Sequence, residues 1–313
     1  MTLTLALDWT PNTNHLGFFV AQARGWYDDR DLSVDLFSPA RDGYAKTPAK
    51  RVATGEADLG IAPSESVVSY ATHPDYDDLV AVAAVAQQDT SAIATLADSA
   101  IDRPRDLDGG TYASYGARFE DDIVTELIRN DGGDGEFETI EPEMLEVPDV
   151  LLSGEADATW VFMPWEGLLA ERAGTSLQGF GLDEYDVPYG YTPLVLGHPD
   201  RLAERREEVQ AFLETTERGY RAAVEDPVAA ADDLATAAEG PNLDDREFFR
   251  ASAERVADAV LTDDGAWGRM AHDRWADFVD WLLDRDVLAS VEGEPLDAGA
   301  LDVDALYTEA YLP

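Results

Sequence analysis

The heptapeptide Val52-Ala53-Thr54-Gly55-Glu56-Ala57-Asp58 has a near copy at Leu151-Leu152-Ser153-Gly154-Glu155-Ala156-Asp157. In each copy the residues before the glycine read as the last turn of a helix. The glycine reads as its stop, and Ala-Asp as the entry to an apolar strand. Each strand then reaches a proline and a second helix start, Pro63-Ser64-Glu65 and Pro164-Trp165-Glu166. Two α/β segments with the same punctuation predict two similar lobes. Their helix starts are expected to face a common cleft, where backbone N–H groups can hold a polar ligand.

The chain around the echo supports this. Strands are predicted over 3–8, 32–37, 57–62 and 79–85, with helices over 16–27 and 47–54 and from Ser64 to Tyr70, where Ser64 reads as an N-cap. Strand and helix alternate, which argues for parallel α/β sheets. A second set of strands follows at 92–96, 110–113, 136–140 and 156–162, with helices at 103–108, 119–130, 146–152 and 164–172. A strand over 192–197 is expected to return to the first sheet. Beyond Pro199 the pattern is helical over 200–220, 226–238, 245–260, 265–286 and 302–310, with loop at 287–300. The expected division is 1–88 with 192–313 in the first lobe and 89–191 in the second.

The first strand ends in Asp8-Trp9-Thr10-Pro11-Asn12-Thr13-Asn14-His15 before an apolar helix. Open α/β sheets bind ligands beyond the carboxyl ends of their strands. A tryptophan, two asparagines and a histidine there supply a stacking face and several hydrogen-bonding groups. Taken singly, Asn12 and Asn14 are explained by turn and cap chemistry, and Trp9 by core packing or one half of a hydrophobic staple.

The chain has 313 residues, enough for about two domains. It carries 65 Asp plus Glu against 22 Lys plus Arg, a net charge of -43. Only Lys46 and Lys50 are lysines. So negative a surface keeps a protein soluble and monomeric and disfavours binding to nucleic acid or anionic membrane. A lysine-poor acidic surface resembles that of halophilic proteins, in which salt screens the repulsion. With no cysteine there is no disulfide, thiolate metal site or thioether-linked lipid anchor. No apolar run approaches the ~20 residues of a membrane span. The N-terminus reads as a strand without a signal peptide. The expectation is a cytoplasmic chain as written, or one at the extracellular face of the membrane if a signal has been removed.

Asp8-Trp9-Thr10-Pro11-Asn12-Thr13-Asn14-His15, Gly25-Trp26-Tyr27, Gly55-Glu56-Ala57-Asp58-Leu59-Gly60 and Pro63-Ser64 together resemble the ThiY-like thiamine-pyrimidine-precursor-binding proteins. These are solute-binding subunits of ABC transporters, grouped with the yeast thiamine-pyrimidine synthases as NMT1/THI5-like. The resemblance runs in order from residue 3 to about residue 225. It implies a bilobal type II periplasmic-binding-protein fold, two α/β lobes joined by a two-strand hinge, with a helical C-terminal region. The implied ligand is a formylaminopyrimidine or hydroxymethylpyrimidine, the implied partner a permease, and no cofactor is implied. The synthase branch uses a Lys and a His after the third strand and a Cys-rich motif. Here Ala62-Pro63-Ser64-Glu65-Ser66 has neither Lys nor His and the chain has no Cys, so a binder is expected and an enzyme is not. A binder of riboflavin or a sulfonate is the other alternative. Ligand bridging of the two lobes would shift an open–closed equilibrium.

An aminopyrimidine is flat, nearly neutral and rich in donors and acceptors. Trp9 is the first stacking candidate, with Tyr115, Tyr189 and Tyr191 as further aromatics. Gly116 lies in the loop Tyr112-Ala113-Ser114-Tyr115-Gly116, where the resemblance implies a second-lobe grip. Glu166, beside Trp165 at a helix start, is suited to accept from an exocyclic amine, or serves the helix dipole. Asp8, Asn14 and His15 are candidates to read the ring edge, with a structural His15 as the alternative. Ser64 and Ser66 are candidates from the first lobe. Arg41, Lys46 and Lys50 suit a phosphate or simply solvated surface. His73, His198 and His272 show no metal-ligand spacing.

Overall fold

β1 (Thr2–Ala6) buries Leu3 and Leu5 on one face of an alternating strand, and its neighbours extend it into the first of two sheets. The computed structural model describes residues 2–76, 78–142, 149–239, 243–288, 296, 299 and 301–313. Its first sheet adds β2 (Ser33–Phe37), β3 (Leu59–Ala62) and β4 (Val80–Ala84). The second contains β5 (Ser91–Leu96), β6 (Thr111–Ala113), β7 (Glu138–Ile140), β8 (Ala158–Phe162) and β9 (Leu177–Phe180), and β10 (Leu194–Gly197) returns to the first. The orders are β2-β1-β3-β10-β4 and β7-β6-β8-β5-β9.

Both sheets are mixed, which corrects the parallel expectation. β10 runs antiparallel to β3 and β4, and β5 antiparallel to β8 and β9. The chain reaches β10 at the end of the sheet where β1, β3 and β4 finish, so it must run back against them. β9 has no counterpart among the predicted strands. It is short and half-buried, and Gly179 inside it lies where a Cβ would press on Ala92 and Met163.

The echoed heptapeptides do the same structural work twice. Gly55 and Gly154 take left-handed φ of 76° and 70°. The Asp58 carboxylate accepts the Thr4 N–H at 2.8 Å, and the Asp58 N–H donates to Thr4 O at 3.0 Å. Asp157 repeats this with Thr111 at 2.8 and 2.7 Å. Each aspartate thus ties its strand to the start of the neighbouring parallel strand, β1 with β3 and β6 with β8. A carboxylate that accepts a backbone N–H in this way satisfies a donor at the strand's end.

The chain forms two compact units, Met1–Asp89 with Gly190–Ala276 and Ala298–Pro313, and Thr90–Tyr189 with Asp277–Asp297. The segment 277–297 therefore departs from the expected division. Within the second unit Phe278 packs edge-on to Tyr189 at 5.2 Å and Arg285 pairs with Glu126.

Several expected helices are shorter than predicted, and glycines explain most of the difference. The helix Leu16–Ala23 stops before Gly25, whose φ is 70°. The predicted 265–286 helix begins only at His272, because Gly265 and Gly268 have φ of 80° and 83° and Gly268 O accepts the Ala84 N–H. The predicted 302–310 helix reduces to Val303–Leu306, after which Tyr307 bridges to Ala81. Part of the 146–152 helix, residues 146–148, lies outside the described residues, as does most of the 287–300 loop. No helix among the described residues is long and apolar enough to cross a membrane.

The core of the first unit sets the position of the Trp9 loop. Helix Arg206–Glu225 buries Val209, Phe212, Leu213, Thr216, Gly219, Tyr220 and Ala223, an apolar face at helical spacing. It crosses the helix Leu16–Ala23 at Gly17 and Gly219. A Cβ at Gly219 would overlap the Gly17 carbonyl, and one at Gly17 would overlap the Tyr220 ring. Tyr220 stacks on Trp267 at 4.9 Å and donates its hydroxyl to Asn14 O at 2.6 Å.

Candidate functional site

Residues 7–15 form a turn that satisfies its own polar groups. Asn12 Oδ1 accepts the Asn14 N–H at 2.9 Å, and Asn12 Nδ2 donates to Thr10 O at 3.1 Å. The Asn12 N–H donates to His15 Nδ1 at 3.2 Å, completing a reciprocal cap. Because Nδ1 accepts, the ring proton is assigned to Nε2, which donates to Asp8 Oδ1 at 2.7 Å. His15 is fully buried with both nitrogens used, so it orients Asp8 and carries no open ring edge. Asn14 is held through its own N–H and carbonyl. Trp9 is half-buried, with the Tyr44 ring at 5.0 Å.

Ser64 follows β3, which pairs in parallel with β1, and so lies on the same edge of the sheet. The expectation that Ser64 caps its helix is corrected. Pro63 occupies the cap position without a side-chain bond, and Ser64 is the first helical residue. Its N–H donates to Tyr191 O at 2.8 Å. Its hydroxyl is fully buried and has no hydrogen-bond partner among the described residues. A buried polar atom left without a partner is uncommon, and this one sits at the carboxyl end of a parallel strand. Tyr191 itself is packed: its hydroxyl accepts the Ala271 N–H at 2.8 Å, and Arg274 covers one ring face at 4.1 Å.

In the second unit the loop after β6 carries Tyr115 and Gly116, and a π-turn, Met163–Gly167, after β8 carries Trp165 and Glu166. Glu166 Oε2 accepts the Phe162 N–H at 2.9 Å. Tyr115 is 47% exposed over its whole surface, yet its hydroxyl is desolvated among protein atoms. That burial, and then the charges of Glu166 and Glu120, raise its pKa and keep it protonated. Tyr189 is buried between Trp160 at 5.3 Å and Phe278 at 5.2 Å, a packed ring rather than an open face.

Glu120 is the residue that sequence reasoning missed here. It is 2% exposed. It accepts the Tyr112 hydroxyl at 2.7 Å and the N–H groups of Tyr115 and Ala117 at 3.0 and 3.2 Å, so it shapes the loop. Burial pushes its carboxyl above the usual range, against the pull of those donors. A raised folded value means that its stabilising contribution is full below the unfolded pKa and is lost as pH rises through the folded one. The stability advantage of the wild type over Glu120→Gln should therefore shrink as pH climbs from about 4.3. Urea melts at constant high salt measure it, and an advantage that grows with pH would contradict this account.

The basic residues Arg41, Lys46 and Lys50 do not assemble a phosphate site. Arg41 pairs with Asp35 at 2.7 Å, Lys46 pairs with Glu56, and the Lys50 amine lies over the Tyr76 ring at 3.9 Å. A cavity of about 310 Å³ beside Arg41 is also lined by Asp35 and Glu239, which repel anions. Among the described residues no group of three or more His, Asp or Glu could hold a metal ion.

A family model of NMT1/THI5-like proteins matches residues 12–230. The chain belongs to the NMT1/THI5-like family. A formylaminopyrimidine-binding protein of Halalkalibacterium halodurans is 27% identical to this NMT1/THI5-like chain over 290 residues, 92% of the chain and 86% of that protein. The solved alkanesulfonate-binding protein SsuA of Xanthomonas axonopodis pv. citri, bound to MOPS, superposes with a TM-score of 0.65. The match covers 92% of this chain and 94% of that one at 14% identity. The desulfurization enzyme DszB superposes at 0.57 over 91% and 93% of the two chains, with 17% identity. The NMT1/THI5-like chain thus has the periplasmic-binding-protein fold. Binders and at least one enzyme share that fold, so it leaves function to the site.

Proposed function

We propose that this protein is a solute-binding protein for a thiamine pyrimidine precursor, of the formylaminopyrimidine or hydroxymethylpyrimidine type. It would serve an ABC transporter or thiamine salvage and carry out no chemistry of its own. The observation that carries the reading is the 27% identity, over 92% of the chain, to a protein named for binding formylaminopyrimidine. The residues available to the ligand support it. Trp9 offers an indole face for a flat ring. Glu166, with Tyr115 beside it, offers a carboxylate to an exocyclic amine. Asn14, Ser64 and Asp8 offer short polar groups at the ends of β1 and β3, while Gly116 supplies the left-handed turn of the second-unit loop, with the Glu141 carboxylate against it. Tyr189, Tyr191 and His15 are packed or fully bonded within their own units, and Trp165 remains a further candidate beside Glu166.

The acidic character of this set argues against a sulfonate, which needs cations. The two lysines are engaged with Glu56 and Tyr76, away from the end of β3 where a synthase lysine belongs. Calorimetric titration in high salt with formylaminopyrimidine, its hydroxymethyl relative, riboflavin and an alkanesulfonate tests the reading. Saturable binding of a pyrimidine in preference to the other two is expected. Preference for flavin or sulfonate would overturn it.

A further inference from the structure

Tyr44 lies in no predicted element, and its backbone is out of the ordinary for a tyrosine. Its φ is 61°, in the left-handed region. The other non-glycine residues with positive φ among those described are Asp31, Asp186 and Asp286, and aspartate is one of the types that tolerate this conformation. A tyrosine held there needs interactions that outweigh the local cost. Three are present. The preceding Gly43, also left-handed at 68°, ends the turn Pro39–Asp42. The Tyr44 N–H donates to Pro39 O at 2.9 Å. The side chain reaches back to the Trp9 loop, with its ring centroid 5.0 Å from that of Trp9, tilted by 49°.

A tilted aromatic pair at this separation is attractive, and it restricts the partner's rotation. Trp9 is anchored on the chain side by the self-bonded turn 8–15 and braced on its outer side by Tyr44. At 36% exposure Tyr44 is one of the exposed large hydrophobic residues, so its ring remains available to a ligand as well.

We propose that Tyr44 is the positioning residue for Trp9: it fixes the indole in the orientation that receives the flat ring and forms the outer wall of that stacking surface. The ligand part of this inference rests on the pyrimidine-binding reading above, whereas the bracing of Trp9 does not.

The substitution Tyr44→Gly separates the two. Glycine accepts a positive φ freely, so the turn is expected to survive and the melting temperature to stay near that of the wild type. Affinity for formylaminopyrimidine should fall about tenfold, and Tyr44→Phe, which keeps the ring, should fall less. Without ligand, acrylamide quenching of the Trp9 signal should rise in Tyr44→Gly, the signal being isolated by subtracting a Trp9→Phe counterpart in each background. Unchanged quenching overturns the proposal, as does unchanged affinity in a wild type that binds pyrimidine. Raised quenching in a protein that binds no pyrimidine upholds the bracing role and rejects the ligand instead.

Discussion

Replacing Gly219 by alanine should lower the unfolding free energy by about 2 kcal/mol or more, although alanine is the better helix former. Helix propensity alone predicts a gain of about 1 kcal/mol for this change. Against it stands a Cβ built into the carbonyl of Gly17, which belongs to the backbone of the crossing helix and has no side-chain torsion to relieve the overlap. Overpacking in a well-packed core costs typically about 1–3 kcal/mol, and a backbone obstacle belongs at the upper end. The sign of the result decides between the two effects, and urea melts of the variant and the wild type in the same salt read it directly. The consequence extends to the site. Tyr220 adjoins Gly219 and donates to Asn14 O, so forcing the two helices apart should also loosen the Trp9 turn and weaken ligand binding. A stabilised variant would mean that the helices pass with more clearance than described.

The second large effect is on affinity. Trp9→Ala should weaken pyrimidine binding about ten- to a hundredfold, since stacking of a nucleobase on an aromatic side chain is worth about 1–3 kcal/mol. The change should leave the fold in place, because Trp9 is half-buried in a turn held by hydrogen bonds among Asn12, Asn14, His15 and Asp8. Calorimetry of the variant, with circular dichroism as the check on folding, measures it. An affinity equal to that of the wild type would show that the ring is received elsewhere. Asn12→Ala provides the contrast. It removes a cap and should cost about 1 kcal/mol of stability, with any loss of affinity following from disorder of the turn.

Much of this molecule is legible in its sequence. The echoed Gly-Glu-Ala-Asp segments identified two α/β units because the same connection, a helix stopped by glycine and a strand opened by aspartate, demands the same residues twice. What the echo did not reveal was the purpose of its aspartates, which lies in bonds to Thr4 and Thr111 far away in sequence. Strand direction was misjudged because alternation of strand and helix carries no information about a strand such as β10 that enters after a long excursion. The start of the helix at His272 is set too early, across Gly265 and Gly268, since a glycine at the edge of a periodic stretch reads as tolerated until its φ is known. Among the candidates, Trp9, Tyr115 and Glu166 stand out by residue type and place. Ser64 is legible as a ligand candidate, while its reading as a cap fails because Pro63 takes that position. Tyr44 and Glu120 were invisible. The first matters through a conformation that its residue type does not advertise, and the second through hydrogen bonds to a loop on the other side of a helix start.

The central claim is that a flat, uncharged aminopyrimidine lies on the Trp9 indole. Crystals grown with formylaminopyrimidine test this most directly. The account predicts the pyrimidine plane about 3.5–4 Å from the indole plane. Ligand density well separated from Trp9, with the indole covered only by protein, would contradict it.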